Sequence, residues 1–269
     1  MKPVVAACAV KMHGAENAFV VLDERPPRLE EYGGLARAVC DPAGDFGGAD
    51  GLLVVRAMAG FAAEMQIFNA DGTQAEMCGN GVRCVARYLH ERGAGDAFSL
   101  WTGAGAIGVE ILAADPFEAR VDIGPVAFPG AAREETLEIA GRAWPFFEVS
   151  LGNPHAVLFV DEVDAVDLPA LGSAFNAAAR FPRGTNVHVV QPLDGQTLRV
   201  RHYERGVGLT RACGTGAVAC AAAAIVARGV HSPVTVLVPG GTLRVDWRPQ
   251  ENARLTGPAE TVFERTLAV

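Results

Sequence analysis

FNADGTQAEMCGNGVRC, residues 68–84, sets Cys78 directly ahead of Gly79-Asn80-Gly81 and then turns helical, with Val82, Val85, Ala86 and Leu89 on one side and Arg83 and Arg87 on the other. A cysteine at the mouth of a helix lies beside unpaired backbone N–H groups and the positive end of the helix dipole, which stabilise a thiolate. The same amides hold anions. The turn therefore offers a nucleophile or proton carrier beside a seat for a carboxylate.

The element occurs twice. Residues 203–220 read YERGVGLTRACGTGAVAC, and without a gap Phe68 matches Tyr203, Asn69 matches Glu204, and Cys78-Gly79-Asn80-Gly81 matches Cys213-Gly214-Thr215-Gly216. Asn17 with Asn153, and Gly48-Ala49-Asp50 with Gly184-Thr185-Asn186, keep nearly the same offset of about half the chain. A spacing this long marks a duplicated domain, not a solenoid repeat. Two such halves would face their cysteines across a cleft.

Around these turns the chain reads as many short strands with one long helix per half. Val4 to Val10 reads as a first strand, Lys11 to Asn17 as a loop carrying His13, and Leu29 to Cys40 as a first helix. Ala217 to Val226 is almost wholly apolar, as a helix buried on most sides would be. The expected fold is α+β: two pseudo-symmetric domains, each a curved, mostly antiparallel sheet wrapped around a central helix. Residues 1–124 plus 258–269 would form the N-terminal domain carrying Cys78, and residues 125–257 the C-terminal domain carrying Cys213.

Composition narrows the class. With 269 residues, half of them apolar, and a net charge of -8, the chain is a globular protein with no basic tail, so neither nucleic acid nor an anionic membrane is an expected partner. No apolar run is long enough to span a membrane, and the opening residues lack an export signal. The six cysteines are then expected to be reduced thiols in the cytoplasm. Metal-ligand spacings and nucleotide fingerprints are missing, so no metal and no cofactor are expected.

If one helix-mouth cysteine is a thiolate and the other a thiol, the first removes a proton from a carbon and the second returns one to the opposite face. That is the chemistry of a racemase or epimerase. An amino-acid carboxylate would sit on the amides of the two helix starts, which would stabilise the enediolate-like charge. Cys78 and Cys213 are the candidates; Cys8, Cys40, Cys84 and Cys220 read as packing. Asn17, Asn69, Asn153 and Asn186 recur at strand ends in both halves and suggest a polar pocket rather than four ordinary turns. Glu204-Arg205 suits an ammonium and a carboxylate, and His155 is a candidate site residue. His90, His188, His202 and His231 read as surface or sheet residues. A silent amino-acid-binding protein and a dithiol redox protein stay open on these residues.

The stretches HGAENAFVVLD, FNADGTQAEMCGNGVRC, VSLGNPHAV, FPRGTNV, YERGVGLTRACGTGAVAC and PGGTLRVDW resemble diaminopimelate epimerase, in order over nearly the whole chain. The related proline racemases usually have histidine where Asn80 stands. The resemblance implies a cofactor-independent epimerase interconverting LL- and meso-diaminopimelate in lysine and cell-wall biosynthesis, usually a cytoplasmic homodimer. It implies Cys78 and Cys213 as the acid/base pair, and Gly79, Asn80, Gly214 and Thr215 around the reacting carboxylate. Asn69 and Glu204 would take the adjacent amino group, and Asn17, Asn153, Asn186 and Arg205 the distal end, with His155 beside the thiols. The chain departs from the family at Glu16 and Ala18, where Gly and Asp are usual, and at Leu209-Thr210-Arg211, where Glu-Thr-Leu is usual. These changes bear on the distal substrate preference and leave open a racemase of another amino acid. Arg211, two residues before Cys213, leads to the expectation that Cys213 is the more acidic thiol.

Overall fold

A computed structural model describes residues 6–25 and 31–268. The chain divides into two compact units, Met1–Val121 with Gly257–Val269, and Asp122–Thr256.

The first unit contains β1 (Ala6–Gly14), β2 (Asn17–Asp23), α1 (Gly33–Cys40), β3 (Gly51–Arg56), β4 (Ala63–Asn69), β5 (Gln74–Ala75), α2 (Gly79–His90), β6 (Ala97–Thr102), β7 (Gly105–Ala114) and β8 (Phe117–Pro125). The chain passes into the second unit within β8. There follow β9 (Glu135–Ile139), β10 (Arg142–Ser150), β11 (Pro154–Phe159), α3 (Leu168–Ala177), β12 (Asn186–Pro192), β13 (Thr197–Glu204), β14 (Gly208–Thr210), α4 (Gly214–Arg228), β15 (Val234–Val238), β16 (Gly241–Asp246) and β17 (Asn252–Pro258). β18 (Glu260–Ala268) returns to the first unit and pairs antiparallel with β1.

Each unit repeats one topology. In the first, β18, β1, β2, β3, β4, β6 and β7 lie side by side, antiparallel except for the β2–β3 and β4–β6 pairs, and β5 hairpins off β4. In the second, β9, β10, β11, β12, β13, β15 and β16 follow with the same senses; β11–β12 and β13–β15 are the parallel pairs, and β14 hairpins off β13. The fold class is α+β, as the sequence pattern predicts.

Alternation along the strands gives each sheet two apolar faces. On the second unit's outer face Ala156, Leu158, Val187 and Val189 pack with Phe146, Leu171, Phe175 and Phe181. α3 lies tightly there: a Cβ on Gly172 would stand 2.3 Å from the Tyr203 ring, so only glycine permits this approach. The inner face belongs to the long helix, α2 or α4, each of which touches strands right across its own sheet. The sheet wraps the helix, and Ala217 to Ala224 are buried all round.

Several local expectations need correction. Val4, Val5, Leu29 and Glu30 lie outside the described residues. β1 continues through His13 to Gly14 instead of giving way to a loop at Lys11, because Lys11 to His13 pair with both β2 and β18 and Gly14 with β2. The β1–β2 connection is only Ala15-Glu16, with φ of 53° and 61°, a left-handed two-residue turn that matches the strand twist. β9 was not anticipated, since its mixed sequence Glu-Thr-Leu-Glu-Ile forms a hairpin with β10 in which no β9 position is fully buried. Cys8, read as packing, is exposed, while Cys40, Cys84 and Cys220 are buried. Arg83, placed on the polar side of its helix, is fully buried.

Candidate active site

Cys78 and Cys213 are the N-cap residues of α2 and α4, in closely similar extended conformations (φ -143°, ψ 118° and φ -127°, ψ 114°). Each gives its carbonyl to the first helical bond, Val82 N at 2.9 Å and Ala217 N at 2.8 Å. The duplicated Cys-Gly-x-Gly sequence thus builds the same turn twice. The glycines are needed because the turn is pressed onto the sheet: a Cβ on Gly81 would stand 3.0 Å from Leu53 Cδ2, and one on Gly216 would stand 2.6 Å from His188 Cε1.

In the first unit Asn17, opening β2, lies against the Cys78 turn. Its Oδ1 accepts from Asn80 Nδ2 at 3.1 Å and lies 3.8 Å from Cys78 Sγ, and its Nδ2 donates to Asp50 Oδ2 at 2.6 Å. Asn80 Oδ1 in turn accepts from Arg83 Nη2 at 2.8 Å. Arg83 also donates to Pro258 O and Gly79 O, which explains how a guanidinium survives burial on this helix. Burial pushes its pKa down to about 10, and ionisation of the neighbouring Cys84 or Cys78 sulfur would oppose that shift. Asn69 ends β4 and donates to Thr73 Oγ1 within its own turn, on exposed surface.

In the second unit the Cys213 sulfur accepts from Gly216 N at 3.3 Å and lies 3.7 Å from Thr215 Oγ1. Burial raises the thiol pKa well above its ordinary value, and the Glu204 carboxylate raises it further by its charge and as acceptor of the thiol's hydrogen bond. The Gly216 amide and Thr215 hydroxyl pull the other way. The expectation that Arg211 makes Cys213 acidic is therefore corrected. The Arg211 guanidinium donates to Pro239 O at 3.1 Å, and burial with Glu204 sets the thiol's state.

Asn186 ties the neighbouring loops together, its Oδ1 accepting from Arg205 N at 3.0 Å and its Nδ2 donating to Pro154 O at 2.9 Å. Its amide is thus bonded to backbone on both sides. Asn153 Oδ1 lies 3.0 Å from His155 Nε2. His155 Nδ1 meets His188 Nε2 at 2.8 Å, and His188 Nδ1 meets His202 Nδ1 at 2.8 Å. His188 and His202 are sheet residues, in β12 and β13, and of the expected surface or sheet placement only the surface half is corrected, since all three imidazoles have no exposed surface. Burial lowers the pKa of His155 and of His202 to about 3, and that of His188 well below 6.5. The rings bond to one another in a line rather than converging on a point, and among the described residues no cluster of His, Cys, Asp or Glu is arranged to hold a metal ion.

The diaminopimelate epimerase family model matches residues 9–129 and 147–262. The chain belongs to this family. A diaminopimelate epimerase of Moorella thermoacetica is 40% identical over 94% of this chain and 96% of its own length, and one of Carboxydothermus hydrogenoformans is 41% identical over 95% and 97%. Among solved structures a Bacillus anthracis protein of the PhzF phenazine-biosynthesis family superposes with a TM-score of 0.76 over 98% of this chain and all of its own, at 16% identity; it shares the fold.

Within the family frame, the first unit brings Asn17, Cys78 and Asn80 together, and the second brings Asn153, His155, Asn186, Glu204, Arg205, Cys213, Gly214 and Thr215 to one end of its sheet around the α4 start. Sequence reasoning missed Arg83, His188 and His202. A signal for the last two existed: at the repeat offset they match Leu53 and Ile67, so polar residues stand where the other copy has inward-facing apolar ones. No helix among the described residues is long and apolar enough to cross a membrane.

Proposed function

We propose that this protein epimerises diaminopimelate between its LL and meso forms with two cysteines and no cofactor, Cys78 acting as thiolate and Cys213 as thiol on one half-reaction. The family match over both Cys-Gly-x-Gly turns carries the assignment. The turns' surroundings support the division of labour. Cys213 is buried and hydrogen-bonded to a carboxylate, which favours the thiol. Cys78 has Asn69, a neutral amide, at the sequence position of Glu204, and the buried Arg83 guanidinium is stabilised by negative charge on its sulfur. That interaction is reciprocal, so it favours a thiolate at Cys78.

The Cys78 thiolate removes the α-proton and becomes a thiol, and Cys213 gives its proton to the opposite face and becomes a thiolate. From this swapped state the enzyme converts the other epimer; before a second turnover in the same direction, Cys78 gives its proton to solvent and Cys213 takes one back. The reacting carboxylate rests on the backbone amides at Gly79-Asn80 and Gly214-Thr215, where helix N-termini stabilise the charge that develops on it. Asn69 and Glu204 hold the α-ammonium, while Asn17, Asn153, Asn186 and Arg205 receive the distal amino-acid end. His155 braces Asn153. The working form is a homodimer in the cytoplasm, which sedimentation and cell fractionation test.

The deciding experiment follows α-proton exchange of LL- and meso-diaminopimelate in deuterated water. Cys78→Ala and Cys213→Ala should each abolish epimerisation and bias residual exchange toward one epimer. Equal exchange of both epimers by either variant would refute the two-thiol division of labour.

A further inference from the structure

The three buried histidines of the second unit have no counterpart in the first. Strand register places Leu53 opposite Ile67 just as it places His188 opposite His202, and Phe19 opposite Gly51 as it places His155 opposite Asn186. Phe19, Leu53 and Ile67, all buried, fill in the first unit the space that three imidazoles fill in the second. An apolar trio is a workable solution for this fold, so polar groups here call for a further explanation.

Bond polarity along the line can be assigned. An amide oxygen only accepts, so the contact with Asn153 Oδ1 puts a proton on His155 Nε2. A neutral His155 then accepts at Nδ1, which requires a proton on His188 Nε2; His188 Nδ1 therefore accepts from a proton on His202 Nδ1. The line ends at His202 Nε2, a buried atom with no hydrogen-bond partner.

We propose that His202, His188 and His155 form a one-way relay that commits the carbonyl oxygen of Asn153 inward and so turns its NH2 group to donate to a ligand acceptor. His188 and His202 are thereby positioning residues for substrate. The proposal rests on Asn153 belonging to the substrate site. Cutting the relay at His188 leaves His155 able to adopt either tautomer and Asn153 either orientation, and a donor aimed at a ligand carboxylate is lost part of the time.

Two measurements test it on the intact protein. Nitrogen-15 spectra of histidine-labelled protein, assigned with His188→Gln and His202→Ile, should show His155 protonated at Nε2, His188 at Nε2 and His202 at Nδ1. In steady-state kinetics with diaminopimelate, His188→Leu should raise KM about tenfold, the worth of one hydrogen bond to a charged group, with kcat within about twofold. His188→Gln, which keeps one donor and one acceptor, should restore most of that loss. Should the leucine variant not fold, His202→Ile carries the same expectation, because it removes the donor that orients His188. A His155 protonated at Nδ1, an unchanged KM in the apolar variants, or a KM raised equally by glutamine would overturn the relay. If the wild-type protein exchanges no α-proton of diaminopimelate, the functional proposal falls while the spectra still decide the relay.

Discussion

Lowering the pH from 7 to 5 is expected to destabilise the second unit by several kcal/mol through His155, His188 and His202. In the unfolded chain a histidine takes up its proton near pH 6.5. Folded, His155 and His202 stay neutral down to about pH 3, and His188 also titrates well below 6.5. Between these limits the unfolded state binds more protons than the folded state, so the stability is fully present above pH 6.5 and declines as pH falls toward 3. At pH 5 each imidazole has lost roughly 2 kcal/mol, about 1.4 kcal/mol for each pH unit below 6.5. Because the three share one line, the total is on the order of 4–6 kcal/mol, comparable to the whole stability of many domains. The control is the triple variant His155→Phe, His188→Leu, His202→Ile, which copies the residues of the first unit. Urea unfolding at pH 7 and pH 5 gives each protein its own pH difference, so altered packing cancels and carboxylates elsewhere contribute alike. The wild type should lose several kcal/mol more than the triple variant. Equal pH differences would refute the claim that these rings stay neutral in the fold.

Two further outcomes follow from the turns. Gly216→Ala drives a methyl against the immovable His188 ring and should cost about 1–3 kcal/mol in urea unfolding; Gly81→Ala meets only the end of Leu53 at 3.0 Å and should cost less. Glu204→Gln removes the charge that raises the Cys213 thiol, so thiol titration by ultraviolet absorbance should find Cys213 titrating at lower pH, with Cys78→Ala as the background.

The duplicated Cys-Gly-x-Gly turn, with apolar runs before and after it, made the fold class and both long helices legible, because those features are local and occur twice. Register was not legible. VHVV in β12 and VRHYE in β13 read as plain alternating strands, and only pairing of β12 with its neighbours puts His188 between His155 and His202. Arg83 was misplaced for a related reason: helical periodicity gives a helix one polar side, but a helix wrapped by its sheet has nearly none. Its partners at Pro258 and Gly79 are carbonyls, which carry no sequence signal. The Arg211 expectation failed because proximity in sequence to Cys213 said nothing of where the long side chain would go, and Pro239 captured its end.

The first unit is closed by β18, which pairs along β1 from Ala6 to His13 yet lies beyond the whole of the second unit in the chain. On the ribosome, residues 122–256 can therefore complete their own hydrogen-bond ladder while the earlier-made half still waits with one sticky border. A chaperone that shields β1 during that interval would raise the yield of active protein, and the nine residues of β18 act as its zip.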